Sequence, residues 1–414
     1  MFQSGRIRCA SRPGEFRGCS VSDLKILVAG AGLGGLAAAG CLLKAGFDVE
    51  IYEQAPALGE VGAGIQLSAN PMHVLRHLGI GDEVSAMSVR PKAYVFRLYD
   101  TGEIISQFAL SDEHERLHKA PYNQIHRADL HDLLARTVQA MKPDVVHLGK
   151  QVTGFAETDD SVELRFADGT RATGDVLVGA DGVKSVIRNA IAGAVPATYT
   201  GDSAWRITVP RAKLPKDFMD EVMSVWMGPG KHAVSYWIRR GEILNFVGAV
   251  ETPNPTEESW TARFPWEDLK ADFDGWHENI QTILDLVDRD QCYRWALYTR
   301  RPIETWSTRR ATILGDAAHA TLPYLAQGAA MAIEDGAVLA RALRQCGDVA
   351  DGLKLYERNR TARTARVVNT SSGNRGVFHQ EKVEDIRRAF ANRDEGADRN
   401  AWLYSYNPMT IDLV

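Results

Sequence analysis

The stretch Lys25–Glu53, KILVAGAGLGGLAAAGCLLKAGFDVEIYE, carries the reading of the whole chain. Ile26 to Val28 form a short, dense apolar run, as a strand buried on both faces requires. Gly30, Gly32 and Gly35 follow in a G-x-G-x-x-G register. Leu33 to Ala45 reads as a helix of small residues, and Asp48 to Tyr52 as a second strand ending at Glu53. Gly30 permits the tight turn, Gly32 lets the backbone approach a pyrophosphate, and Gly35 lets the helix lie close to the sheet. The helix N-terminus offers free N–H groups and the positive end of its dipole to phosphates. Glu53, 23 positions after Gly30, is placed to accept hydrogen bonds from both hydroxyls of an adenosine ribose. Strand, glycines, helix, strand and terminal acid together predict an adenine-dinucleotide site. The terminal acid suits NAD or FAD and would repel a 2′-phosphate; this stretch leaves the choice between the two open.

The rest of the composition narrows the class. At 414 residues the chain has room for two or three domains with sizeable cores. A net charge of −5 supplies no bulk cationic field for nucleic acid or an anionic membrane. No apolar run approaches the roughly 18 residues of a spanning helix. The cysteines, Cys9, Cys19, Cys41, Cys292 and Cys346, are odd in number and widely spaced, without a C-x-x-C pair. That pattern predicts a reduced compartment, the cytoplasm, and disfavours dithiol flavin chemistry.

Residues 1–23 carry Arg6, Arg8, Arg12 and Arg17 and lack an apolar h-region, so they are not a secretory signal. They read as a disordered extension or an upstream start, with an organellar transit peptide as the alternative on composition. Beyond Glu53, the glycines at 59, 62 and 64 predict a loop that approaches something closely. Asn70-Pro71 opens a helix, with proline at a first-turn position. Residues 91–110 predict two strands about Asp100-Thr101-Gly102. His114, Glu115 and His118 spell H-E-x-x-H, nominally a zinc protease string. Pro121 follows too soon for a sustained helix and no third ligand is in view, so a solvated loop or single turn is expected and no metal site.

Further along, Tyr122 to Leu134 predicts a strand end and a helix, with Arg127 at the junction where a guanidinium can meet phosphate. Residues 145–170 predict two strands of a meander. Asp175 to Arg188, DVLVGADGVKSVIR, gives a second buried strand, a glycine turn and a helix. The segment 199–290 is rich in tryptophan (205, 226, 237, 260, 266, 276), and His232, Val234, Tyr236 and Ile238 alternate onto one strand face. Residues 311–343, ATILGDAAHATLPYLAQGAAMAIEDGAVLARAL, predict a strand, a long turn and a helix. Residues 351–392 read as charged helix.

Three separated signals then line up: GAGLGG with Glu53, GADG at 179–182, and GDAAHATLPYLAQG at 315–328. This ordered set resembles the single-component (class A) FAD-dependent aromatic hydroxylases, the para-hydroxybenzoate hydroxylase group, over roughly residues 24–345. Within the group the chain is similar to the salicylate hydroxylases, 3-hydroxybenzoate 6-hydroxylases and 6-hydroxynicotinate 3-monooxygenases, through GEVGAGIQ (59–66), HRADLH (126–131), HAVSY (232–236) and AWLYSY (401–406).

The resemblance implies an α/β fold, in which a Rossmann-like FAD-binding domain (24–90, 119–198 and 292–345) is interleaved with a β-sheet substrate domain (91–118 and 199–291) and followed by a C-terminal helical segment (346–414). It implies that Gly30, Gly32, Leu33, Gly34, Gly35, Glu53 and Gln54 bind the ADP half of FAD. Arg127 matches the arginine near the pyrophosphate, Asp181 the acid associated with FAD and NAD(P)H handling, and Asp316 the acid on the ribityl chain. Pro323, Gln327, Gly328 and Ala329 match the turn and helix start beside the flavin ring, where a helix N-terminus stabilises the anion of reduced flavin. NAD(P)H, with NADH favoured, is implied as a transient co-substrate, since no second G-x-G-x-x-G occurs.

The activity implied is hydroxylation of a phenolic or hydroxy-heteroaromatic acid by NAD(P)H and O2 through a flavin C4a-hydroperoxide. On the substrate side it implies His232 as base or phenol acceptor and Tyr236 as an orienting residue, with Gln66, Pro323 and Tyr324 lining the pocket. Gln66 stands where the hydroxynicotinate enzymes carry histidine, and Pro323 where the 3-hydroxybenzoate enzymes carry glutamine, so a class of acid is implied rather than one acid. Arg206, Arg239 and Lys231 are the candidate partners for its carboxylate, and His319 lies next to the flavin turn. A homodimer is expected from family habit and the aromatic C-terminal stretch. The competing readings are another FAD oxidoreductase such as a halogenase, whose W-x-W-x-I-P string is absent, and a flavin-carrying redox sensor without turnover.

Overall fold

A computed structural model of the chain describes residues 24–59, 63–254, 262–391 and 400–414. The N-terminal extension, Gly62 and Trp260 lie outside the described residues. The opening stretch folds as its pattern requires: strand Lys25–Ala29, helix Leu33–Lys44 and strand Asp48–Tyr52. Ile26, Leu27 and Val28 are fully buried because the strand is central in a five-stranded sheet and covered on both faces.

That sheet is parallel and runs in the order 311–313, 176–179, 25–29, 48–52, 146–147. Strand Lys25–Ala29 therefore has its successor on one side and a strand from much later in the chain on the other. Such a reversal of strand order opens a crevice at the carboxyl ends of the strands, where doubly wound folds bind their ligands. The helix Gly328–Gln345 crosses Leu33–Lys44 through small residues. A Cβ on Gly336 would sit 2.6 Å from Ala38 Cα, and one on Gly34 would sit 3.0 Å from Ala332 Cβ. The absence of side chains at these two positions sets the helix spacing and brings both helix starts to the same crevice.

The second body is a seven-stranded sheet in the order 293–299, 198–210, 243–251, 231–238, 223–228, 93–98, 104–109. Its edge strand Tyr293–Thr299 was expected with the nucleotide-binding part; it pairs instead with Thr198–Pro210. One face carries Trp205, Trp226, Trp237 and Phe246 and is covered by the helices Trp266–Asp272 and Glu278–Leu286. The other face carries Phe96, Met223, Val225, Met227, Val234 and Val247 and packs on Leu322 and Tyr324 of the turn ahead of Gly328, and on Phe378. The tryptophan-rich face is thus filled by its own helices, while the opposite face meets the crevice. The helix Val349–Phe378 runs from the first body to the second. Among the described residues no helix is long and apolar enough to cross a membrane.

The H-E-x-x-H string is helical, Asp112–His118, and buried rather than solvated. The His114 and His118 rings lie 4.6 Å apart in a box with Tyr122 and Tyr404. His114 Nε2 accepts the Ala69 N–H at 3.2 Å, and His118 Nδ1 meets Ser405 Oγ at 2.7 Å. The helix is buried because Tyr404, remote in sequence, packs on both histidines, with Tyr122 closing the box on His114.

Candidate active site

The crevice is built from two uncapped helix starts. Gly32 caps Leu33–Lys44 with no side-chain hydrogen bond and no acid in the first turn. Gln327 caps Gly328–Gln345 in the same way, and the helix opens Gly-Ala-Ala. Each start therefore leaves N–H donors for a ligand. At Gly32 the space a Cβ would take is open, whereas a Cβ on Gly35 would lie 2.0 Å from Gly30 O. Gly35 is thus required for the turn, and Gly32 is free to face a bound group. Glu53 is anchored by the turn it serves: Oε2 accepts the Ala31 N–H at 2.8 Å and Oε1 the Ala55 N–H at 2.9 Å. Each carboxylate oxygen retains capacity for a hydroxyl donor. Gln54 beside it is exposed.

The other expected cofactor residues divide into two kinds. Arg127 starts the helix Arg127–Met141, and its N–H is held by Ala63 O at 2.8 Å. Asp316 is exposed at the start of a short helix after Gly315. Asp181 instead uses both oxygens within the chain. Oδ2 accepts from Val186 N at 2.8 Å and Ile187 N at 3.2 Å, and Oδ1 accepts from Ser185 Oγ at 2.5 Å. It holds the start of the helix Val186–Ala192. Gln327 is likewise turned inward, bonded to Ser68 Oγ at 3.1 Å and Asn70 Nδ2 at 3.0 Å. Pro323 is exposed, whereas Tyr324 is buried with its hydroxyl donating to Asp202 at 2.7 Å.

The expected substrate residues share the crevice face of the seven-stranded sheet, in two groups. Tyr236 lies against the two-stranded antiparallel sheet formed by Gly64–Leu67 and Asn123–His126. A Cβ on Gly64 would come within 2.6 Å of the Tyr236 ring, so that ring depends on a glycine there. Gln66 hydrogen-bonds Tyr236 and accepts the Tyr122 hydroxyl at 2.6 Å. Burial pushes the Tyr236 phenol well up, and Gln66 opposes it. Four residues along the strand, His232 packs edge-on to Tyr324 at 4.8 Å between ring centres. Burial, reinforced by the nearby His379, drives the His232 imidazole well below the usual histidine range, so it is neutral.

Of the cationic candidates, Arg239 is taken by Asp129 at 2.7 Å, and Lys231 reaches the Asp272 carbonyl. Arg206 is buried beside Tyr293 and Trp295, close enough to Arg127 to feel its charge. His319 is bonded to Asp335 at 2.6 Å. Three further polar residues beside these side chains carry no sequence motif. Tyr122 and Asn245 flank Gln66 and Tyr236, and Gln124 is paired opposite Gln66 in the two-stranded sheet. Both polar atoms of the Gln124 amide and Asn245 Nδ2 are buried without a protein partner. Only the pairing of strands remote in sequence brings them to the site.

Two open helix starts, an anchored acid at the second strand end, and unpartnered buried amides beside the crevice fit a dinucleotide whose second half is a polar ring. The comparisons agree. Residues 23–371 match the FAD binding domain family. The chain is 37% identical to 3-amino-4-hydroxybenzoate 2-monooxygenase of Streptomyces cremeus over 92% of this chain and 95% of that one. It is 36% identical to 6-hydroxynicotinate 3-monooxygenase of Pseudomonas fluorescens over 94% and 97%. The fold superposes on Klebsiella pneumoniae HpxO complexed with FAD and uric acid with a TM-score of 0.81 and 27% identity, covering 92% of this chain and 95% of that one. The chain belongs to this FAD-binding family and is a flavoprotein monooxygenase.

Proposed function

We propose that the protein hydroxylates a phenolic or hydroxy-heteroaromatic acid, using NAD(P)H and O2, with NADH the favoured reductant. The observation that carries the reading is the crevice face of the larger sheet, where His232 packs on Tyr324 and, four residues along the same strand, Tyr236 meets Gln66 and, through it, Tyr122. Relatives named for an aminohydroxybenzoate and for 6-hydroxynicotinate support the same class.

Gly30, Gly32, Leu33, Gly34, Gly35, Glu53 and Gln54 would hold the ADP half of FAD, with Arg127 near its pyrophosphate. Asp181 would steady the adjoining helix, Asp316 would bond the ribityl chain, and Pro323, Gln327, Gly328 and Ala329 would form the bed of the ring. Bound there, FAD supplies hydride acceptance from NAD(P)H and activation of O2. The protein's own task is to raise electron density on the substrate ring and keep water out. His232, held neutral by burial, accepts the phenolic proton. Tyr236, protonated at all working pH, donates a hydrogen bond and orients the ring. Met223, Val234 and Val247 exclude water between them. Of the cations considered, Arg206 is the one on this face and is assigned to the substrate carboxylate.

The test is a panel of hydroxybenzoates and hydroxypyridine carboxylates, with NADH consumption and oxygenated product measured together. The reading requires coupled product from at least one acid; NADH oxidation with no product from any acid would sink it. A cytoplasmic homodimer completes the proposal. Its support is family habit, because Tyr404 and Tyr406 of the aromatic C-terminal stretch pack on His114, His118, Arg360 and Arg363 of their own chain. A monomer by light scattering at micromolar concentration would remove that part.

A further inference from the structure

His232 has a second partner that no sequence motif marks. Its Nδ1 lies 2.7 Å from Nε2 of His379, and Nε2 of His232 has no hydrogen-bond partner among the described residues. His379 is the C-terminal cap of the helix Val349–Phe378. Its own Nδ1 lies 3.1 Å from Glu251 Oε1. His232 and His379 are 3% and 7% exposed, while the Glu251 side chain is 42% exposed. Two hydrogen bonds thus connect a buried pocket imidazole to a carboxylate in water.

We propose that His379 and Glu251 form a proton relay that carries the substrate's phenolic proton from His232 to solvent and returns it as product forms. The inference rests on His232 being the proton acceptor of the function proposed above.

The steps balance within the chain. The substrate O–H bond breaks and an N–H bond forms at His232 Nε2. The proton on His232 Nδ1 passes to His379 Nε2, and the proton on His379 Nδ1 passes to Glu251 Oε1, which releases it to water. One proton enters, one leaves, no electrons move, and both imidazoles finish as the opposite neutral tautomer. Running the steps backwards reprotonates the product oxygen and restores both.

The surroundings set the direction. His232 is buried and has His379 against it, so a charge there is strongly disfavoured and its second proton must move on. His379 is also pushed down by burial, but Asp202 and Glu251 pull it back up, against Arg375. Its place at a helix C-terminus further favours positive charge. The groups facing it are Arg375 on its own helix, His232, Glu251 and Asp202 from three strands, and Tyr324 from the turn. Asp202 is occupied by Arg375 at 2.8 Å and by the Tyr324 hydroxyl at 2.7 Å, which leaves Glu251 as the outlet. Asp202, Glu251 and His379 could in principle gather a metal ion, their donor atoms lying within 4.8 Å of one another. The guanidinium of Arg375 already bonds both carboxylates, so the positive charge is supplied by the chain.

The test uses FAD-loaded enzyme mixed rapidly with 3-hydroxy-4-nitrobenzoate below its solution pKa, whose phenolate absorbs in the visible. Proton release is read in parallel by phenol red in weak buffer. The relay requires that His379→Leu and His379→Gln slow both signals roughly tenfold or more and flatten the pH profile of hydroxylation. Added imidazole should restore part of the rate in His379→Leu, while the flavin spectrum stays that of the parent. Glu251→Gln should slow release less, because water is adjacent. Parent-like rates and pH profile in both His379 variants would overturn the relay. His232→Ala separates the two readings. If it abolishes phenolate formation while the His379 variants do not, the relay alone fails; if it too forms phenolate at the parent rate, the acceptor assignment fails and the relay with it.

Discussion

Arg360 and Asp335 meet at 2.6 Å with neither side chain exposed to solvent. The pair is the centre of a buried network. Arg360 also bonds Glu334 at 2.7 Å, Arg363 bonds Glu334 at 2.8 Å, and Asp335 bonds His319 at 2.6 Å and the Gly315 N–H at 2.9 Å. Asn70 and Gln327 extend it to the turn before Gly328. The helix Val349–Phe378 thereby fixes the segment 315–329 from behind. Arg360→Ala takes the shared guanidinium from two buried carboxylates, leaving Glu334 with Arg363 and Asn70 and Asp335 with His319 and the Gly315 N–H, and a loss of about 3–5 kcal/mol is expected. Thermal unfolding of the holoprotein would reveal it, and an unchanged midpoint would show that the network is not what holds the segment.

Glu53 offers a cleaner test of cofactor binding, because its role requires the carboxylate and not the helix. Glu53→Ala is expected to weaken FAD at least about tenfold, or about 1.4 kcal/mol. Titration of flavin fluorescence into apoprotein measures this. Affinity equal to the parent would mean that the acid serves only the Ala31 and Ala55 amides.

Hydroxylation and cofactor retention should separate at His232. In His232→Ala the flavin is expected to stay bound while NADH oxidation runs without matching product. Loss of FAD from an otherwise folded variant would contradict the assigned role.

Gln66→Leu removes the partner of two buried phenols, Tyr122 and Tyr236, and should cost about 1–3 kcal/mol of stability. It should also lower kcat/KM for the best acid of the panel. Parent-like values in both measurements would place Gln66 outside the pocket.

Stability should fall with acid in two stages. Burial, with His118 and Arg90 adding to it, lowers the His114 pKa to about 3. A base depressed on folding stabilises the native state fully above its unfolded pKa near 6.5 and loses that contribution as pH falls toward 3. The loss amounts to about 2 kcal/mol by pH 5. His232 and His379 shift in the same direction. Asp335 is raised by burial but brought down to about 2 by His319 and Arg360, so its share is present above about pH 4 and lost as pH falls through 2. A melting temperature flat from pH 7 to 5 would contradict the first stage, and His114→Gln should reduce its slope.

What the amino-acid sequence determined by itself is the cofactor half. Lys25–Glu53 encodes strand, turn, helix and acid within one continuous segment, so local sterics and helix dipoles suffice to read it. The GADG and GDAAH turns extend that reading because each also sits at a strand end. Tertiary structure alone decided the rest. Asp181 faces its own helix rather than open space, the H-E-x-x-H string is buried against Tyr122 and Tyr404, and Tyr293–Thr299 joins the larger sheet. Gln124 comes beside Gln66, Asn245 beside Gly64 and His379 beside His232 only through pairings and packing between segments far apart in the chain. A side chain's hydrogen-bond partner is set by which strands and helices are neighbours, and no local pattern of residues specifies that.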